Sequence, residues 1–396
     1  MNYDIIIIGA GLVGLATAYQ TKLKNTDSKI LILEKENDVA LHQSGHNSGV
    51  IHSGIYYKPG SLKAKNCIEG YNSVINFAEK YGIRYDLCGK IIVATSQEEL
   101  PLLDNIYKRG VENGLQDLKY LSREEFREIE PHCEGVKAIK VPQTGIIDYP
   151  GIAKKIKELF EELGGEVRFN NEVKNIIDKG SEIIVSTNIS EFKTKKLISC
   201  AGLYSDKITK MTNKKNDVVI IPFRGEYYKI KDEKKYLVKH LIYPVPDPSF
   251  PFLGVHFTRM IDDNIEAGPN AVLAFKKEGY HFFDFNFNEA MQTMLWPGFR
   301  KIVAKYGKTG MGEMHRSLSK SAFTKALQKL LPEIQENDLV PGGSGVRAQA
   351  CDRNGGLIDD FDVVKNGNII HVRNAPSPAA TSCLSIGNKI SELVIS

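Results

Sequence analysis

Residues 1–19, MNYDIIIIGAGLVGLATAY, decide how the chain begins to fold. The run ending at Ile8 is apolar and β-branched, too short to cross a membrane, and reads as a strand buried on both faces. Gly9, Gly11 and Gly14 follow with G-x-G-x-x-G spacing. The first permits a tight turn, the second lets backbone approach a pyrophosphate, and the third lets the next helix pack closely on the strand. The N-terminus of that helix then faces an anion. A second apolar run, Ile30–Leu33, ends in Glu34, about 20 residues beyond the last glycine, where a carboxylate can take both ribose hydroxyls of an adenosine. Strand, glycines, helix, strand and acid in this order predict a Rossmann-like dinucleotide site, with NAD and FAD both open at this point.

A chain of 396 residues exceeds what one hydrophobic core usually serves, so two domains are expected. The formal charge of +4 is spread without a basic block, which argues against nucleic acid and suits small anionic substrates. Cys67, Cys88, Cys133, Cys200, Cys351 and Cys383 form no C-x-x-C pair and read as reduced thiols. A first strand at the very N-terminus reads as no signal peptide, and no segment reaches the roughly 18 apolar residues of a spanning helix. A cytoplasmic protein is expected, with any membrane contact peripheral.

Beyond Glu34, the polar loop at residues 35–61 is too long for a routine connection and reads as functional. A helix is expected over Leu62–Tyr81, a strand over Gly89–Ser96, a helix over Glu98–Asn113, and a capping box at Ser122 and Glu125. The βα rhythm returns with a helix at Gly151–Leu163, the strand EVRFNNEV, and KLISCAG ending at Gly202. Asp217–Leu273 reads as an antiparallel sheet, followed by helices over Asn288–Tyr306 and Ser319–Leu331. The glycine cluster PGGSGVRAQ, a hairpin at Asn366-Gly367 and a helix from Pro378 close the chain. The expected fold is α/β: a Rossmann-like domain from 1–85, 146–215 and 336–396, interleaved with a mostly antiparallel substrate domain from 86–145 and 216–335.

A second glycine-rich loop, SGHNSG (Ser44–Gly49), directly after Glu34 favours FAD over NAD, because its amides and side chains can wrap another face of the cofactor. These stretches, with GIIDYPGIA, ISCAGLYSDKI, PFRGEYYKI, GVRAQ and NAPSPAATSCLSIGNKI, resemble the D-amino-acid-oxidase-like flavoproteins. PFLGVHFTRM and EAGPNAVLAF narrow the resemblance to the L-2-hydroxyglutarate-oxidising branch; Cys383 and Ser385 are conservative departures. The resemblance implies FAD contacts at Gly9, Gly11, Gly14, Glu34, Lys35, Ser44, Asn47, Ser48, Gly49, Val173, Ala201, Gly202, Gly345 and Ser382. It also implies oxidation of L-2-hydroxyglutarate to 2-oxoglutarate, with electrons passed to a quinone or O2. A related flavoenzyme acting on an amino acid or glycerol 3-phosphate, or a flavin protein without turnover, is the alternative.

That reaction needs a base for the hydroxyl proton, with a pKa near working pH, and cations for two carboxylates. His52, leaving the cofactor loop, is the favoured base; His256 is the second candidate, sharing a strand face with Thr258 opposite Arg259. Arg347 is the carboxylate fork, as related oxidases place an arginine in a similar segment. Lys58, Arg224, Arg259 and Arg316 are candidates for the second anchor, with a preference for Arg259. Tyr56 and Tyr57 either close the pocket or simply pack. His42 and His46 read as loop-satisfying residues, and no histidine spacing suggests a metal. Met291–Gly307, with Trp296, Phe299, Arg300, Lys301 and Lys305, reads first as a helix on the substrate sheet and second as a membrane-docking surface where a quinone collects electrons.

Overall fold

The computed structural model describes residues 2–213, 217–247 and 253–395; Pro251 and Phe252 of PFLGVHFTRM lie outside them. The first strand, Asn2–Ile8, lies parallel between Ile30–Leu33 and Glu191–Ser199, with Ile7 opposite both Ile32 and Ile198. Glu166–Arg168 and Ile369–Asn374 extend this parallel core, and hairpins widen it to eight strands. Alternation sends Ile5, Ile7, Ile30 and Ile32 to one face and Ile6, Ile8, Leu31 and Leu33 to the other, and both faces are covered. On the first face, helix Leu12–Lys24 packs against the C-terminal helix Cys383–Ile395. Contact there is backbone to backbone, since a Cβ on Gly387 would lie 2.5 Å from the Ala16 carbonyl carbon.

A second sheet of nine strands runs from Val272–Leu273 at one edge through Val218–Ile230, Ile265–Gly268, His256–Arg259, Leu241–Pro244 and Lys90–Ala94 to Lys137–Val141 and Lys119–Leu121. Ile91, Val93, Ile242, Phe257 and Ala267 form its dry face, against Phe323 and Leu327 of helix Lys320–Leu327. The opposite face carries Lys90, Tyr243, His256 and Thr258, as the registers Lys90–Leu241, Leu241–Thr258 and His256–Gly268 require. A small sheet of Val50–Ile51, Tyr85–Asp86 and Gly145–Ile147 brings the cofactor loop to this polar face.

Three expectations need correction. Leu339–Asp352, including PGGSGVRAQ, is a strand of the second sheet, paired along its length with Val218–Ile230, so the boundary at 336 falls too early. Its glycines serve close approach: a Cβ on Gly342 would lie 2.7 Å from the Tyr227 oxygen, and one on Gly345 2.5 Å from the His46 oxygen. The helix expected over Asn288–Tyr306 is two, Phe287–Leu295 and Pro297–Leu318, because Pro297 starts a new helix after the extended Trp296. EVRFNNEV is likewise split, with Glu166–Arg168 ending before a turn and Val173 opening the next strand.

Candidate active site

A cavity of about 500 Å³ runs along the C-terminal ends of the parallel strands, from Glu34 across Gly9 and Gly11 to Asn374–Ala375 and Ala379–Ala380. Its size falls within the range of cofactor sites. Gly9 makes the turn at φ +101°, and its backbone touches the third glycine: a Cβ on Gly14 would sit 2.0 Å from the Gly9 oxygen. Gly11, the N-cap of the first helix, has no side chain to offer, so Ser44 Oγ reaches across and accepts from the Leu12 amide at 3.0 Å. The Glu34 carboxylate accepts from Ala10 N at 2.7 Å and Glu36 N at 3.0 Å, which fixes it at the cavity wall. Buried Lys277 ion-pairs with Asp206 and donates to the Leu203 oxygen at 2.9 Å, tying the second-sheet side of the molecule to the ISCAGLYSDK segment.

Of the residues expected around FAD, Gly9, Gly11, Gly14, Glu34, Lys35, Ser44, Val173, Ala201 and Gly202 line this cavity. Asn47, Ser48, Gly49, Gly345 and Ser382 do not. Asn47 instead shapes the loop, donating to the Gln43 and Ser44 carbonyls and accepting from Gly49 N. Lys35 is held by Glu36 and Glu278. Those two acids and His42 are the one group of potential metal ligands among the described residues, and the Lys35 ammonium already pairs with both acids. His42 and His46 bond to Tyr280 and to the Ser344 carbonyl. A dinucleotide fits these features: glycine backbone at the phosphate end, a fixed acid at the ribose end, and on the cavity wall the buried Asn374 Oδ1, which has no partner among the described residues.

Next to this cavity lies a cluster of cations and rings. His52 N donates to Thr381 Oγ1 at 3.1 Å, and its carbonyl accepts from Cys67 Sγ at 3.2 Å. Its ring lies 3.3 Å from Ser377 Oγ. The His256 ring packs at 4.1 Å on Tyr243, with Nδ1 2.8 Å from the Gly254 carbonyl. A carbonyl only accepts, so Nδ1 carries the proton and Nε2 is left with its lone pair. Arg347 bonds to the Tyr227 hydroxyl. Burial, followed by the positive Lys90, Lys63 and Arg347, pushes His52 down to about 3. Burial, opposed by the Gly254 carbonyl and reinforced by Arg347 and Lys90, does the same to His256. Both imidazoles are therefore neutral at pH 7, and the expected pKa near working pH does not hold for the free protein.

Arg259, the favoured second anchor, is not part of the cluster. It pairs with Asp86 of the small sheet. Arg224 pairs with Glu226, Arg316 with Glu313, and Lys58 is exposed. Sequence reasoning missed Lys90, 3% exposed on the polar sheet face, with its ammonium 4.5 Å from the Tyr56 ring centre and 4.8 Å from that of Tyr243. A charged residue opening an otherwise apolar strand, KIIVA, was the available signal.

The two halves meet in sequence as well as in space: Ala348 and Ala380, which line the cavity, adjoin Arg347 and the Thr381 that holds His52. A dinucleotide cavity on a Rossmann-like sheet, beside a polar face of an antiparallel sheet, defines a flavoprotein oxidoreductase. The chain belongs to the FAD dependent oxidoreductase family, whose model matches residues 4–393, and FAD is its cofactor. It is 58% identical to L-2-hydroxyglutarate dehydrogenase of Indibacter alkaliphilus, over 99% of this chain and 98% of that one. It is 47% identical to the mitochondrial L-2-hydroxyglutarate dehydrogenase of Homo sapiens, over 99% and 89%. Among solved structures, L-alpha-glycerophosphate oxidase of Mycoplasma pneumoniae with FAD bound superposes with a TM-score of 0.82 at 25% identity, covering 100% of this chain and 95% of that one.

Proposed function

We propose that the protein oxidises L-2-hydroxyglutarate to 2-oxoglutarate. The observation that carries this reading is the neutral His256, with Nε2 free to accept, within electrostatic reach of the Arg347 guanidinium on the polar face next to the FAD cavity. Gly9, Gly11, Gly14, Ser44, Glu34, Val173, Ala201 and Gly202 would hold the cofactor. FAD bound there would supply the two-electron acceptor for the hydride that leaves the α-carbon. Arg347, steadied by Tyr227, forks onto the α-carboxylate. His256 Nε2 takes the hydroxyl proton as the C–H bond breaks, leaving the ketone. This reverses the sequence preference for His52, whose backbone ties to Thr381 and Cys67 suit a wall that orients the substrate. Arrival of a dianion offsets the positive charge around the histidines and raises the affinity of His256 for that proton.

Turnover with an artificial electron acceptor tests the reading. L-2-hydroxyglutarate should yield stoichiometric 2-oxoglutarate. Equal activity on glycerol 3-phosphate, or ammonia release from an amino acid, would replace it with one of the alternatives.

For the natural acceptor, we propose a membrane-borne quinone reached through the segment before and within helix Phe287–Leu295. Phe283 is 91% exposed, and Phe285, Phe287, Met291, Met294 and Leu295 are also exposed, with Lys276 and Arg300 nearby in sequence. The following helix instead buries Phe299 and Ile302 against Ile221 and Cys351. No described helix is long and apolar enough to cross a membrane. Replacing Phe283 and Phe285 with Ser should abolish flotation with anionic vesicles; unchanged flotation would refute this surface.

A further inference from the structure

Lys90 opens strand Lys90–Ala94, where alternation commits Ile91 and Val93 to the dry core and leaves its side chain on the polar face. A buried ammonium normally has a carboxylate or carbonyl partner. Among the described residues Lys90 has neither a hydrogen bond nor an ion pair, only the faces of Tyr56 and Tyr243. A second group there is also unanswered: Tyr56 Oη is buried with no hydrogen-bond partner. The loop carrying Tyr56 is clamped, since Asn113 donates to the Gly54 and Tyr57 carbonyls at 3.0 Å each and Arg109 donates to the Tyr56 carbonyl. An unpaired cation and an unpaired hydroxyl on fixed backbone make a preformed anion subsite.

His52 and His256 each feel both Arg347 and Lys90, so the two histidines lie within electrostatic reach of both cations. A substrate with its reacting carbon at the histidines and one carboxylate on Arg347 has a direction left in which to extend a second. We propose that Lys90 and Tyr56 bind the carboxylate remote from the reacting carbon and thereby make the enzyme selective for dicarboxylates. This assignment rests on the functional reading above and deepens it by naming the residues that measure substrate length and charge. Burial also pushes Lys90 down to about 7, so an incoming carboxylate stabilises its charged form. Among the described residues the groups that bear on it are Tyr56, Tyr243, Cys67, His52 and His256, none of them a carboxylate that would hold the charge without substrate.

Binding separates this inference from turnover. The FAD-loaded enzyme is titrated with glutarate and with pentanoate, which have the same chain length and no hydroxyl to oxidise, and occupancy is read from the flavin absorbance. Wild type should bind glutarate at least tenfold more tightly than pentanoate. Lys90→Met should remove that preference with FAD content unchanged, and Lys90→Arg should retain part of it. Tyr56→Phe, which deletes one oxygen and spares the fold, should weaken glutarate several-fold and leave pentanoate alone. Equal affinities in wild type, or an intact preference in both Lys90→Met and Tyr56→Phe, would overturn the assignment. A Lys90-dependent preference for glutarate without reaction of L-2-hydroxyglutarate would keep the anchor and refute the functional reading instead.

Discussion

The kcat/KM for L-2-hydroxyglutarate is expected to fall as the pH is raised from 6 to 8. With burial holding Lys90 at about 7, its charged fraction drops from about 90% at pH 6 to about 10% at pH 8, roughly a tenfold loss of the form that binds the remote carboxylate. No matching loss is expected on the acid side, because His52 and His256 titrate at about 3 in the free enzyme and stay neutral down to about pH 5. The profile of kcat/KM, which reports the free enzyme, should therefore be level from pH 5 to 6.5 and decline above 7. That of kcat can show an acidic limb, since the bound dianion raises the histidine. Steady-state assays across pH 5 to 9 would trace both curves, with L-2-hydroxypentanoate, which has no second carboxylate, as the control. Lys90→Arg should carry the alkaline fall beyond pH 9. An acidic limb in kcat/KM near 6.5 would contradict the neutral, buried His256, and a curve level through pH 9 would contradict Lys90.

Three further outcomes follow from the same geometry. Glu34→Ala should weaken FAD by about 1.5 to 3 kcal/mol, measured by cofactor titration, since it removes a charged acceptor for the ribose and frees the Ala10 and Glu36 amides. Arg347→Lys should raise KM at least tenfold while leaving the pH profile in place, because charge persists and the planar fork does not. Stability should drop on acidification: unfolded histidine takes up a proton near 6.5 that folded His256 refuses until about 3, so its contribution is present above 6.5 and is lost as the pH falls. For this 5% exposed ring the loss is about 2 kcal/mol by pH 5, and denaturant titrations of His256→Asn should show a shallower decline between pH 7 and 5.

What could be read from the sequence was local. Strand, glycine turn, helix and Glu34 lie within one βαβ unit, and their spacing alone dictates how they meet a dinucleotide. Alternation placed His256 and Thr258 on the strand face that also carries Lys90 and Tyr243. The preference for Arg259 as an anchor took no account of Asp86, which comes from a distant strand, because long-range ion pairs leave no trace in spacing. Lys90 was overlooked for the same reason: its isolation is defined by Tyr56 and Tyr243, brought to it by the sheet and the loop. The glycine cluster at 342–345 gave no sign of a strand because glycine normally weakens strands, whereas Gly342 and Gly345 let other backbone pass close.

The central claim is tested most directly by anaerobic rapid mixing of the FAD-loaded enzyme with L-2-hydroxyglutarate, its D enantiomer and lactate, following the flavin absorbance. The account predicts rapid bleaching by the L enantiomer alone, at least 100-fold slower in His256→Asn, with 2-oxoglutarate formed in proportion to flavin reduced. Bleaching of comparable rate by lactate or by the D enantiomer, or an undiminished rate in His256→Asn, would contradict it.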